Sequence, residues 1–599
     1  MKKTVFIILA LLSFYSAVFS EEVMISGNKT ILYGLDSTVM KIIDIQNKKE
    51  LKNVLDSIEL GFFIDGKVIR MMEMNPKAEY IAGTSIIKIE SSYQKVKFNT
   101  YILSTIEENR DSIFVVTNIK NGDAKNVKNI KTFFLINSSL IKSSIKFDRV
   151  KRAYVEEKTA IRALNNNFML YFTNEKDYRE LKFRKCNSDE DIKNEGEKLF
   201  FVSETGDVER YGEKRDIVEI NISGGNIYDA EKDLEKDNIV DREIGIWEHW
   251  QGNIEVLKNS EIDLKNIKQT EMFLKLAQRE DGAVLTALLK ENEIIKSEEM
   301  LYAILAFVKS GHYQEAKEAI EYIINSKIDE KEKVMADYGY LLNKNQENKM
   351  VRGDGEVYSY YMQALYLYAF SEYVIYSNDI AMLRKEYKLS VKKQADYLLS
   401  KIKDGIVEPD CYNGEMGAES ADYYLNTTFL TLIALESFLK STEFYIPESE
   451  LSTYRIKVEE LKNGINKFIF NKKIVDTLKL KEVRLRNGVV LQSRFIEEKE
   501  SIKQTLDSYR EIYKKNIGNT GEKESIEIDL LYAMALATTK ENSEYKSVED
   551  RIDNILIKNG YVIPEYVKTG EKTIKYGVNG IDTKLNAFYI IMKRGLINE

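Results

Sequence analysis

Two histidines, two cysteines, two tryptophans and four prolines among 599 residues remove several kinds of chemistry at the outset. A zinc site of His and Cys ligands has too few donors, and Ser-His-Asp catalysis and thiol redox chemistry lose most of their means. Cys186 and Cys411 lie far apart and fall in different predicted domains, so they read as buried free thiols rather than a disulfide. No metal or cofactor is expected. Blocks of one charge are also missing: the net charge of −8 comes from 88 basic and 96 acidic residues that are intermixed. Without a basic stripe, a nucleic-acid partner is not expected. Beyond the N-terminus there is no apolar run long enough for a bilayer, so no stable membrane span is expected. No fixed sequence period of the tetratricopeptide type recurs.

What is present is ordinary for a globular protein, at 44% hydrophobic and 31% charged residues. The N-terminus reads as a secretory signal peptide over 1–20: Lys2 and Lys3, an apolar core from Val5 to Leu12, and Val18-Phe19-Ser20 before Glu21. Cleavage there would make the protein secreted, periplasmic or cell-envelope associated. The remaining chain is too long for one hydrophobic core, and two domains with a linker are expected.

Residues 21–235 carry strand signals. Tyr93–Thr105 and Asp111–Ile119 alternate β-branched and aromatic residues, and Asp65-Gly66, Asn121-Gly122-Asp123 and Gly224-Gly225-Asn226 supply turns. Many short strands at such spacing predict an antiparallel β-sandwich. A linker is expected over 236–264, holding Trp247 and Trp250, either as a sugar platform or in buried packing. From 265 to 599 the period becomes helical. Met300–Val308, Glu315–Ile324, Tyr358–Ile375, Ser390–Ile402, Thr427–Leu439, Glu450–Phe470, Ser525–Thr538, Lys546–Ile557 and Leu585–Met592 read as helices, in hairpins. Hairpins without a repeat favour a closed all-α ring over an open solenoid. His312 is expected in a solvent-exposed helical turn, and Asp553 carries no signal of its own.

Pro564-Glu565 sets a carboxylate on a stiff loop, because proline fixes its own φ and extends the residue before it. A second loop, Asp404 to Gly417, contains Tyr412 and Glu415 and precedes a helix starting near Thr427. In an α/α ring such loops gather at one end, and two facing carboxylates there suit glycoside hydrolysis. Gly353-Asp354-Gly355-Glu356 precedes an aromatic helix; Asp354 and Glu356 either line the same pocket or merely favour a helix N-terminus. Tyr358, Tyr360, Tyr361, Tyr366 and Tyr368 divide between core packing and a sugar-stacking surface.

The order of these segments resembles the glucoamylase-like glycoside hydrolases of family 15, in the bacterial form that joins a β-sandwich to a six-hairpin (α/α)6 toroid. Asp281-Gly282-Ala283-Val284-Leu285-Thr286-Ala287 is similar to the family's segment ending Gly-Ala-Ile-x-Ala-Ser. Gly560 to Gly570 is similar to Gly-x-Leu-Pro-Glu-Gln-x-x-x-x-Thr-Gly, which carries the general base, and Asn586-Ala587 resembles the start of the closing helix. The resemblance implies Glu565 as base and Glu415 as general acid, with Glu419 as the alternative acid under a register shift. It implies Glu298, Asp354, Glu356, Trp250 and Tyr412 as substrate-binding residues, an oligosaccharide or polysaccharide as substrate, and inversion at α-glucosidic ends. The chain departs from the family at its sugar clamp: Ile295-Lys296-Ser297-Glu298 stands where Trp-Pro-Arg-Asp is usual, with Glu298 in place of Asp and nothing in place of Arg. Gly414 replaces the Trp before the acid, and Met416 the Glu after it. The alternatives implied are a catalytically impaired glycan-binding or structural envelope protein, or another toroid enzyme such as a trehalase-like hydrolase.

Overall fold

The computed structural model describes residues 23–27, 31–36, 39–44, 52–105, 112–137, 146–148, 153–156, 159–173, 184–185, 198–221, 239–252, 261–288, 294–325, 338–341, 350–352, 360–409, 422–485, 495–518, 523–539, 542–558, 561, 563–564, 566–569, 574–576 and 581–594. The chain divides into two compact units, the second beginning at Ile254.

The first unit is the antiparallel sandwich. One sheet centres on Lys52–Ile64, Val127–Asn137 and Lys198–Val208, the other on Val96–Leu103, Ser112–Asn121 and Glu213–Asn221. Alternation in Val96–Leu103 directs Val96, Phe98, Thr100 and Ile102 inward, as a period of two requires. Phe62 of one sheet stacks on Phe98 of the other with ring centroids 4.1 Å apart. The Asp65-Gly66 turn closes a hairpin between Lys52–Ile64 and Lys67–Arg70. Within the stretch expected as a linker lies a helix, α1 (Ile239–Gln251), and it belongs to this unit. Its Ile239 and Val240 pack into the cluster of Ile86, Leu103, Phe114 and Val116, and Gln251 Nε2 donates to the Gly83 carbonyl at 2.8 Å.

The second unit is the (α/α)6 toroid. In chain order its helices are α2 (Glu261–Ala277), α3 (Ser297–Lys309), α4 (Tyr313–Asn325), α5 (Tyr360–Ser377), α6 (Ile380–Glu386), α7 (Lys392–Ser400), α8 (Leu425–Thr442), α9 (Glu448–Ile465), α10 (Lys499–Gly518), α11 (Ile526–Thr539), α12 (Asn542–Lys558) and α13 (Thr583–Arg594). Two classes alternate. Helices α3, α5, α8, α11 and α13 are apolar almost all round and nearly fully buried, as a helix surrounded by others must be. The helices between them are amphipathic: α4 buries Ala316, Ala319, Ile320 and Ile323 and turns its remaining face outward. The first class forms the inner wall, with α13 packed on α3, α3 on α5, and α5 on α8.

Closure joins distant parts of the chain. Ala287–Leu288, after α2, pairs with Ile581–Asp582, before α13, and Thr583 N donates to Thr286 O at 2.9 Å. Gly282, at φ +89°, lets this turn lie on α4: a Cβ there would sit 2.2 Å from the Glu318 carbonyl oxygen.

Candidate functional site at the N-terminal ends of the inner helices

Three ion-paired residues show that the inner helices run parallel. Glu298, Glu527 and Lys584 are each the second residue of α3, α11 and α13, and they meet: Lys584 Nζ lies 3.3 Å from Glu298 Oε1 and 3.2 Å from Glu527 Oε1. Burial alone would depress the ammonium's pKa; the two carboxylates outweigh that and raise it, so the lysine is charged at neutral pH. Next to them the hydroxyls of Tyr302 on α3 and Tyr361 on α5 hydrogen-bond each other. Burial first, then the neighbouring phenol and Glu298, push the Tyr302 phenol well up. Tyr302 also meets the Phe588 ring edge-on at 4.6 Å. Tyr360, the first residue of α5, sits edge-on to Tyr397 at 6.0 Å, and Lys401 Nζ lies over both rings at 5.4 and 5.5 Å.

The described flanks of the segments that hold the proposed acid and base lie at the starts of α8, α11 and α13. Glu565 itself lies outside the described residues, as do Glu415, Glu419, Asp354, Glu356 and Tyr412. Their described neighbours are firmly held. Ile563 and Pro564 are buried, and Ile563 N donates to Asn586 Oδ1, on α13, at 3.5 Å. On the other side of Glu565, Tyr566–Thr569 pairs with Lys523–Ser525, the strand running straight into α11. That strand is fixed from behind: Arg551 donates to Glu524 Oε2 at 2.6 Å and Asp529 Oδ2 at 2.9 Å, and Asn516 bonds both Ser525 N and Ser525 O. Asp529 is wholly buried, and burial, offset by Arg551, pushes its carboxyl up to about 6.

The loop holding 410–421 is anchored at both described ends. Upstream, Ile402–Lys403 and Ile406–Val407 form a small hairpin, and Val407 N donates to Thr428 Oγ1 in the first turn of α8 at 3.3 Å. Its turn at Asp404-Gly405 rests on α9: Gly405, at φ +76°, has space for no Cβ, which would fall 2.3 Å from the Glu460 carbonyl oxygen. Downstream, Asp422 accepts from the backbone N–H groups of Lys479 at 3.1 Å and Leu480 at 3.4 Å.

Among the sequence-derived candidates, Glu298 is thus placed in the convergent cluster. Trp250 stands on α1 in the N-terminal unit, edge-on to the fully buried Trp247 with centroids 5.5 Å apart. Lys584 and Glu527 were not singled out in the sequence, since nothing local distinguishes them from other surface charges. One expectation is corrected. His312 is buried, not exposed: it lies 6% accessible between α3 and α4, with Nε2 3.6 Å from Glu271 Oε2. A helical turn at a toroid's edge would be wet; this one is covered because α2 and the end of α13 pack over it, with Arg594 Nη2 donating to Glu271 at 2.8 Å.

A β-sandwich followed by an (α/α)6 toroid resembles the fold of the glucoamylase-like glycoside hydrolases, at low sequence identity. The comparison with solved structures gives a bacterial glucoamylase in complex with acarbose: TM-score 0.58, 12% identity, covering 96% of this chain and 93% of that one. A rhamnosidase from Klebsiella oxytoca with rhamnose bound follows at TM-score 0.44 and 11% identity, covering 87% and 94%. A cellobiose 2-epimerase from Bacillus thermoamylovorans gives 0.40 and 13%, covering 56% and 99%. No protein-family model and no curated protein sequence matches the chain. The likeness is one of fold, and it extends over the sandwich as well as the toroid.

Proposed function

We propose that this protein is an exported glycoside hydrolase that cleaves α-glucosidic ends of oligosaccharides with inversion. The observation that carries the reading is the junction at Pro564. The segment that delivers Glu565 is tied on one side to α13 and on the other to the strand entering α11, next to Glu527 and Lys584. A carboxylate delivered there would stand near the charged groups of Glu298, Glu527 and Lys584 and the phenols of Tyr302 and Tyr361.

In the proposed reaction the Glu415 carboxyl gives its proton to the glycosidic oxygen as the bond from that oxygen to the anomeric carbon breaks. Glu565, as carboxylate, takes a proton from water, whose oxygen bonds to the anomeric carbon from the opposite face. One water is consumed and the configuration inverts, which calls for carboxyl groups roughly 6.5–9.5 Å apart. The export proposed here is supported by the sequence of Met1–Ser20, which reads as a secretory signal peptide. No helix among the described residues is long and apolar enough to cross a membrane.

The test is hydrolysis of maltose, maltotriose, isomaltose and trehalose by the mature protein, with the anomer of the first product followed by polarimetry. Inverted product from at least one, and a loss of about 10²–10⁴ in kcat for Glu565→Gln, are expected of a general base. Unchanged turnover in that variant removes Glu565 from the mechanism. A second reading, a glycan-binding protein that no longer turns over, is favoured by one observation: Gly414 stands where the family has Trp before its acid. Binding without turnover of any of the four sugars would establish it.

A further inference from the structure

The interior of the sandwich is not wholly apolar. In the sheet that holds Val96–Leu103, Ser112–Asn121 and Glu213–Asn221, the residues Thr100, Thr117 and Asp216 stand side by side on neighbouring strands. The Thr100 and Thr117 hydroxyls lie 3.1 Å apart. In the facing sheet Thr132 and Ser203 are register partners. All five are buried, and a charge placed in such a layer is removed from water at high cost unless a counter-charge joins it.

Asp216, 1% exposed, joins the two sheets. Its Oδ1 accepts from Ser203 Oγ, across the sandwich, at 2.6 Å and from Asn166 Nδ2 at 2.7 Å. Its Oδ2 and the Thr132 hydroxyl beside it complete no hydrogen bond among the described residues. A hydroxyl can meet either form of a carboxyl, as donor to the anion or acceptor from the acid, so the surroundings decide. Every charged group on the strands packed around Asp216 is engaged elsewhere. Lys214 donates to the Thr205 carbonyl at 3.0 Å, Lys131 to Glu204 at 2.8 Å, and Arg162 to Glu219 at 2.8 Å. Lys120 pairs with Glu213 at the rim, Arg70 with Glu59 at 3.3 Å, and Arg215 faces Asp241 of α1. With no cation in the layer, burial pushes the Asp216 carboxyl above its ordinary 3.8, and the donors Ser203, Thr132 and Asn166 offset only part of that.

We propose that Asp216 is a proton latch between the two sheets of the sandwich. As the neutral acid it accepts from Ser203 through Oδ1 and donates to Thr132 through Oδ2, so both bonds cross the core. As pH rises the proton leaves to solvent, the uncompensated anion draws water into the polar layer, and the sheets loosen. The folded state keeps a proton that the unfolded chain releases above 3.8, so this stabilisation is full below 3.8 and is lost as pH rises through the folded value. The latch does not depend on what the toroid binds.

The experiment is hydrogen exchange read by mass spectrometry on the full mature protein, from about pH 3.5 to about 9, for wild type and Asp216→Asn, which keeps the shape and cannot titrate. Taking the ratio of the two at each pH cancels the intrinsic pH dependence of exchange. In Val127–Asn137 and Glu213–Asn221 the protection of wild type relative to the variant is expected to fall by up to about tenfold per pH unit, then to level once Asp216 is ionised. Peptides of α5, in the toroid, are expected to keep a constant ratio. Should Asp216→Asn fail to fold by circular dichroism, Asp216→Thr, which extends the row of Thr100 and Thr117, takes its place as the reference that cannot titrate. A ratio that stays flat in the sandwich over the whole range overturns the latch, as does one that falls equally in α5. Protection that rises with added K⁺ in wild type alone puts a cation on Oδ2 in place of the proton and overturns it too.

Discussion

The two ends of the inner helices are built from the same residue types to opposite effect. At the C-terminal ends charges are sealed. Lys309 donates to Glu372 at 3.0 Å, and Glu372 accepts in turn from Ser437 at 2.9 Å, so α3, α5 and α8 are tied together. Lys593 bonds Glu549 at 2.7 Å and Asp553 at 3.0 Å, while Arg594 reaches Glu271. These cations agree with the helix dipole, and their partners are nearly dry. At the N-terminal ends Lys584, Glu298 and Glu527 are half wet, the lysine opposes the dipole, and the described flanks of the proposed acid and base segments lie there, while Asp529 is sealed beside Arg551. Buried, closed networks hold shape; open ones remain available to a ligand. On the proposed reading, the ring divides stability from chemistry along its axis.

The largest effect that bears on this division is at the sealed end. Lys593→Met leaves the buried Asp553 with the Tyr589 hydroxyl but no cation and Glu549 with only the more exposed Lys546 as cation, and breaking a buried pair in this way costs about 3–5 kcal/mol. Urea denaturation of the variant should show that loss, with sugar affinity per folded molecule unchanged. A loss of affinity without a loss of stability would reverse the two roles. Asp529 gives the next largest effect, and its sign can be worked out. Burial raises its folded pKa to about 6, above the ordinary value of 3.8. The folded state therefore holds a proton that the unfolded chain has released between those values. Stability from this group is full below pH 3.8 and is lost as pH rises through 6, by up to about 3 kcal/mol at 1.36 kcal/mol per unit. The difference in unfolding free energy between wild type and Asp529→Asn, followed from pH 3.5 to 7, should fall across that window and then level. A difference that is flat across it would mean that Arg551 keeps Asp529 ionised. Smaller again is Gly405→Ala. A residue forced to positive φ costs about 1–3 kcal/mol, and its methyl would press on the Glu460 carbonyl. Thermal melting should register the strain, and kcat should fall further than stability does, because the turn leads into the loop of Glu415.

These comparisons also show what the sequence could disclose. The change of period near 265 separated sandwich from toroid, because a residue's own neighbours decide whether it alternates by two or by 3.6. Helices such as Leu425–Thr442 and Ile526–Thr539 were legible to within a few residues for that reason. Helix α10, Lys499–Gly518, was not. Its buried face is Ser501, Thr505, Leu506 and Tyr509, in which two hydroxyl residues take the place of apolar ones. They can be buried because Thr505 Oγ1 donates to Ser501 O at 2.6 Å and accepts from Ile474 N at 2.8 Å, contacts no periodicity announces. Local motifs marked the turn at Gly405 and the buried Pro564, both of which the structure describes, while the carboxylates next to them lie outside the described residues. Nothing local marked Lys584, whose partners come from α3 and α11. No Arg stands beside Glu298 in the sequence, and only the closed ring brings the Lys584 cation to it, at 3.3 Å.

The smallest expected stability effect is the sharpest check on the contrast between the ends. Glu527 is 39% exposed and lies 3.2 Å from Lys584, and an ion pair so open to water contributes about 0–1 kcal/mol. Glu527→Gln keeps an acceptor oxygen and nearly the same shape, and Lys584 retains Glu298 as its counter-charge. Its melting temperature should therefore lie within a few degrees of wild type, while Lys593→Met, with a similar loss of one charge, should melt far lower. The division fails if the two variants are equally destabilised, since the open end would then be a structural knot like the other. It gains force if Glu527→Gln melts like wild type and yet weakens maltotriose binding, because a carboxylate that adds little to folding and much to binding is held in place for a ligand.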